Sequence, residues 1–181
     1  GIGGVRNDRS ADYLTSLVRE LCAQPRETEW VEFKENDAEP QAIGEYVSAL
    51  ANAAALVGKA FAYLVWGVRN ADHAIVGTRF VPGAAREGSE ELESWLLRLM
   101  EPKIDFRFLS VSVDGLPVVV LEIARAARHP VRFSGQEYIR VGSYKKKLKD
   151  YPEKERALWR IFDQTPFEDG IALERASDDE V

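Results

Sequence analysis

Ala60 to Val68 is the stretch that most constrains the fold. Phe61, Ala62, Tyr63, Leu64, Val65 and Trp66 follow one another without a polar break. A short, continuously apolar run of this kind fits a central strand covered on both faces. Such a strand needs a packed layer on each side. The segment before it supplies one: from Gln41 to Val57, Ile43, Val47, Leu50, Ala51 and Ala54 recur at helical spacing. Ala49, Ala53 and Ala55 add small side chains, which allow close packing on a sheet. Gly58 is a natural stop for that helix. Gly67 marks a turn or a close backbone approach.

The other elements follow from the same rules. Leu14, Leu17, Val18 and Leu21 predict an amphipathic helix from Ser10 to Gln24, capped by Ser10 and ended by Pro25. Glu27-Thr-Glu-Trp-Val-Glu-Phe-Lys34 reads as a strand. Alternation puts Trp30, Glu32 and Lys34 on one face, and Val31 and Phe33 into a core. Glu27 lies just ahead, where a small bend brings its carboxylate near Glu32. The strand is either a half-buried edge or the wall of a polar site. After a polar turn at Arg69 to His73, Ala74 to Phe80 is expected to pair back as a strand. A helix is expected from Ser89 to Met100, closed by Pro102. Ile104 to Val113 alternates, Asp114-Gly115 signals a hairpin, and Pro117 to Ile123 returns. Val131 to Phe133 and Tyr138 to Val141 are short strands around Ser134-Gly135. A last helix starts at Pro152 and runs to Phe162. Helices mixed with hairpin-linked strands predict an α+β fold: one mostly antiparallel mixed sheet flanked by helices. The expected domain spans 10–163, followed by an acidic linker, 164–181.

The chain has 181 residues, 45% hydrophobic and 30% charged, which suits one domain with a real core. No apolar run approaches membrane-spanning length. Gly1-Ile-Gly-Gly4 lacks the regions of a signal peptide, so a cytoplasmic location is expected. Cys22 is alone and there are two His residues, which argues against disulfides and against Cys- or His-based metal sites.

Net charge is −6, which disfavours a globally basic nucleic-acid binder. The charge is uneven, however. Arg140, Lys145, Lys146, Lys147 and Lys149 fall within ten residues that hold no acid before Asp150. Salt screens the distant acids, so a polyanion feels such a stripe at short range. Lysines make phosphate contacts without reading sequence. Arg140 could offer a fork to phosphate, Gly142-Ser143 backbone N–H donors, and Tyr144 a stacking face; the alternative is that Lys145 to Lys149 is a solvated loop leading into a helix. Lys34 is a further candidate contact. Glu27 and Glu32 are two carboxylates of the kind a metal-assisted cleavage site would need, since Mg²⁺ or Mn²⁺ takes clustered oxygen ligands. The alternative is that Glu32 and Lys34 are a solvated strand face with a weak ion pair. ATP is not expected: around Gly58-Lys59 the first Gly of a P-loop is missing, and Ala60 stands where a hydroxyl would hold Mg²⁺.

Three motifs in order carry a family resemblance: Glu27-Thr-Glu-Trp-Val-Glu-Phe-Lys34, then Tyr63-Leu-Val-Trp-Gly-Val68 with Ile75-Val-Gly-Thr78, then Tyr138-Ile-Arg-Val-Gly-Ser143. Together they resemble the Schlafen/AlbA-type DNA-binding domain, also labelled divergent AAA. The resemblance implies nucleic-acid binding. It also implies a place as N-terminal module of a longer transcriptional-regulator or helicase-like protein, with Phe167 to Ala172 starting the linker. Schlafen-type cores pair two lobes around a groove, which implies a homodimer. In vertebrate Schlafens the related lobes form a ribonuclease with three acids. Two of these match Glu27 and Glu32, and the third should follow Gly67-Val68, where this chain has Arg69-Asn70. Asp72 is close but out of register. The expectation is a nucleic-acid-binding module. The alternatives are a metal-dependent ribonuclease and a protein-interaction or oligomerisation domain.

Overall fold

The computed structural model describes residues 2–164, with side chains from residue 11 onward. The expected linker therefore lies outside the described residues, apart from its first residue. The central strand is β2 (Phe61–Trp66). It pairs in parallel with β1 (Val31–Lys34) and antiparallel with β7 (Leu116–Ala124). β6 (Phe106–Val113) completes the sheet in the order β1-β2-β7-β6. Strand parity then sorts the core. Tyr63, Val65, Val118 and Val120 face α1 (Ile2–Cys22), against Leu14, Leu17, Val18 and Leu21. Ala62, Leu64, Trp66, Val119, Leu121 and Ile123 face α2 (Pro40–Val57) on the other side. Both faces of the apolar strand are covered, as its composition requires.

α2 is buried nearly all round, from Ile43 to Ala55. A helix buried on nearly every side needs packing on more than one side, and a second sheet provides it. This sheet runs β10-β9-β8-β5, made of Tyr144–Lys147, Gln136–Val141, Arg132–Phe133 and Met100–Glu101. Asn52 and Ser48 on α2 tie directly into it. The Asn52 amide donates to the carbonyls of Val131 (3.0 Å) and Tyr138 (2.8 Å), and the Ser48 hydroxyl donates to Val131 (2.7 Å). Gly44 leaves room for the Phe133 ring, with which a Cβ there would clash. Glu39 caps α2 by accepting from the amides of Gln41 and Ala42, Pro40 occupies the first turn, and Gly58 closes it at φ 76°.

The α+β class is observed. Among the described residues the strands divide between two four-stranded sheets and a two-stranded ribbon, where one sheet was expected. The ribbon is β3 (Arg86–Glu87) with β4 (Glu90–Glu91). It takes residues expected in the third helix, so α3 spans only Leu92–Leu99. α1 continues past Ser10 to Ile2, so Ser10 does not cap it. Ala74 to Phe80 forms no strand, only a bridge between Val68 and Ile75. The segment instead wraps the end of β2, where Gly67 at φ 102° lies against the Pro117 carbonyl and the Thr78 amide donates to that carbonyl (2.9 Å). α4 (Pro152–Gln164) ends the described chain.

Candidate nucleic-acid interface

The basic run forms the end of a tight hairpin. β9 turns through Gly142-Ser143 into β10, with Val141 opposite Tyr144 and Arg140 opposite Lys145. Gly142 takes φ 61°, and its amide donates to the Glu29 carboxylate (2.8 Å), which pins the turn to the segment leading into β1. Side chains on a strand alternate, so the run is split between two faces. Arg140, Lys145 and Lys147 share one face; Tyr144 and Lys146 take the other.

Arg140 points inward and is 2% exposed. Its Nη1 lies 3.1 Å from Glu32 Oε1 and donates to the Val31 carbonyl at 3.0 Å. Its Nε has no partner among the described residues. Burial pushes the guanidinium below its ordinary value, against the opposing pull of Glu32, Tyr46 and Glu29. The expectation that Arg140 offers a fork to phosphate does not fit this placement, because the guanidinium is buried and its Nη1 is held by Glu32 and the Val31 carbonyl.

Glu32 is 8% exposed. Val31 and Phe33 face α1, so Glu32 and Lys34 face α2, and that side is covered too. Tyr46 of α2 donates to Glu32 Oε2 (3.3 Å), and Lys34 Nζ stands 3.6 Å away. Burial, then the charge of Glu32, pushes the Tyr46 hydroxyl up to about 12. Lys145 folds onto the same helix. Its Nζ reaches Glu45 Oε1 at 2.7 Å and sits 4.6 Å from the Tyr46 ring centre; Lys34 Nζ lies 5.0 Å from that centre. Burial raises Glu45, but hydrogen bonds led by Lys145 bring it below its ordinary value. Glu45 and Tyr46 were not foreseen from sequence. Their signal was a Glu and a Tyr side by side in a helix rich in small apolar residues.

The rest of the run stays outside. Ser143, Lys146, Lys147 and Lys149 are exposed, and Tyr144 is 67% exposed. Lys146 Nζ lies 5.4 Å from the Tyr144 ring centre. Among the described residues, no carboxylate lies within 4.0 Å of Lys146, Lys147 or Lys149. β10 is the edge strand of its sheet, and fully buried Leu148 anchors the short turn that carries Lys149.

Glu27 does not join Glu32. It lines a cleft of about 440 Å³ with Arg26, Asn70 and Ser143. Arg69 stands where the resemblance implies a third acid, and it pairs with Asp72 at 3.1 Å. These residues do not fit a divalent metal. Glu32 is occupied by Arg140 and Tyr46, and a cation there would face two positive side chains. Among the described residues, no three His, Cys, Asp or Glu side chains group in a way that could hold a metal. Gly58-Lys59 closes a helix, whereas a phosphate-binding glycine loop opens one.

The profile of the family described as Schlafen, AlbA_2 matches residues 27–149. No curated protein matches the chain. The chain is similar to the crystal structure of the DIP2311 protein from Corynebacterium diphtheriae at 19% identity and a TM-score of 0.47, covering 81% of this chain and 29% of that one. It thus spans less than a third of that protein's length. Among the described residues, no helix is long and apolar enough to cross a membrane. From Glu27 through the hairpin to Lys149, the matched segment contains the buried Glu32–Arg140 pair and the outward lysines, and the chain belongs to the Schlafen/AlbA_2 family, which is associated with nucleic-acid binding.

Proposed function

We propose that this domain binds nucleic acid, DNA in the first instance, along the outer edge of the β9–β10 hairpin. Lys146, Lys147 and Lys149 hold phosphates, and Tyr144 offers a face to a base. One observation carries this reading: three lysines stand exposed on one edge strand and its following turn, free of described carboxylates, beside an exposed aromatic ring. Arg140, Lys145 and Lys34 act from beneath. Arg140 and Lys145 fix the hairpin against β1 and α2, and Lys34 joins the same cluster through Glu32 and Tyr46, so the ridge presents its charges from a packed base.

Three phosphate contacts give modest, salt-sensitive affinity. Two copies with ridges side by side would engage a longer stretch, and this is how a homodimer within a larger regulator-like protein would work. The test is titration of a labelled oligonucleotide by fluorescence anisotropy at low salt. Wild type is expected to bind. Joint replacement of Lys146, Lys147 and Lys149 by Gln is expected to weaken binding at least tenfold with thermal stability unchanged. Equal affinity for both proteins would overturn the assignment.

A further inference from the structure

We infer that the cleft beside this ridge takes one unpaired base of a single strand, guanine in preference to thymine or uracil. The inference rests on the nucleic-acid reading above and names its substrate more narrowly. The cleft, about 440 Å³, is lined by Arg26, Glu27, Asn70 and Ser143. That volume falls in the ~300–1,000 Å³ range of small-molecule sites. Ser143 is the chain neighbour of Tyr144, which is 67% exposed. A base in the cleft and a base stacked on Tyr144 therefore belong to neighbouring nucleotides of one strand.

The lining is polar throughout, so it selects by hydrogen bonding. The Glu27 carboxylate only accepts, Arg26 only donates, and the Asn70 amide does both. Guanine presents two adjacent N–H groups beside a carbonyl. The carboxylate meets the first two, and the guanidinium or amide meets the third. Thymine and uracil set a carbonyl on each side of a single N–H, so one carbonyl oxygen faces the carboxylate. In a duplex this edge is already paired, so the cleft admits only an unstacked, unpaired base.

The test uses three probes in anisotropy titrations: a short oligothymidine, the same strand with one central guanine, and that strand annealed to its complement. For wild type, the single guanine is expected to tighten binding about tenfold over oligothymidine, in line with a good bidentate base contact. The duplex is expected to lose that gain. Glu27→Gln and Asn70→Ala are each expected to shrink the guanine-to-thymine ratio toward one. The ratio is the readout because a general change in surface charge moves both probes alike. Equal affinity for the two single strands, or a ratio untouched by Glu27→Gln, overturns the cleft assignment while leaving the ridge standing. Failure of wild type to bind any probe at low salt overturns both.

Discussion

Glu32 and Arg140 meet at 3.1 Å with almost no access to solvent, and they join two different sheets. Glu32 belongs to β1, beside the central strand; Arg140 belongs to β9, across α2. Breaking a buried pair from one side leaves a charge without a partner, and that costs far more than the pair contributes. Arg140→Met leaves Glu32 with only the Tyr46 hydroxyl and Lys34 Nζ at 3.6 Å, and is expected to lower unfolding free energy by about 3 kcal/mol, the low end for a buried pair broken from one side. The double variant Glu32→Gln with Arg140→Met should recover most of the loss. Urea denaturation measures both. A single variant as stable as the double would show that Lys34 and Tyr46 suffice to hold the Glu32 charge.

Gly44 is a packing requirement. Its missing Cβ is filled by the Phe133 ring, which is fully buried. Gly44→Ala must push that ring or α2 aside, at a cost of about 1–3 kcal/mol, the usual range for overpacking. Adding Phe133→Leu should relieve part of that cost, although the smaller side chain has its own. Thermal unfolding of the three proteins gives the comparison. Additive losses would mean the two residues are not in steric contact.

Tyr46 predicts weakening at alkaline pH. An unfolded tyrosine ionises near 10, whereas Tyr46 in the fold is pushed up to about 12 by burial and then by Glu32. Across that window the unfolded chain gives up a proton that the folded chain keeps. Stability from this group is full below pH 10 and is lost as pH climbs toward about 12. Burial and Glu122 raise Tyr63 in the same direction. Tyr46→Phe should therefore reduce the alkaline slope without removing it. Urea midpoints across the window would show this, and an unchanged slope would contradict it.

Much of the scaffold was legible in the sequence because local composition dictates it. The apolar run Phe61 to Trp66 announced a strand buried on both faces. The small-residue helix before it announced close packing, and Asp114-Gly115 announced the β6–β7 hairpin. Ala74 to Phe80 misled, because its β-like residues serve a segment that crosses the sheet end against Pro117 and has no neighbouring strand to pair with. The basic run was legible as a run, but the fate of each member was not. Strand alternation separates Lys145 from Lys146, and the partners that draw Lys145 and Arg140 inward are Glu45 and Glu32, about a hundred residues earlier. Likewise Glu32 looked available beside Glu27. Only the placement of α2 over that face shows that the two carboxylates point to different surroundings.

The central claim is that the outer lysines touch phosphates. The most direct measurement is the salt dependence of oligonucleotide binding, between about 50 and 200 mM, for wild type and for the joint Lys146, Lys147 and Lys149→Ala variant. Three contacts predict a slope of log K against log salt near ~−2.7 on duplex DNA, or ~−2.1 on a single strand, falling toward zero in the variant. A wild-type slope near zero, or the same slope in both proteins, would contradict it.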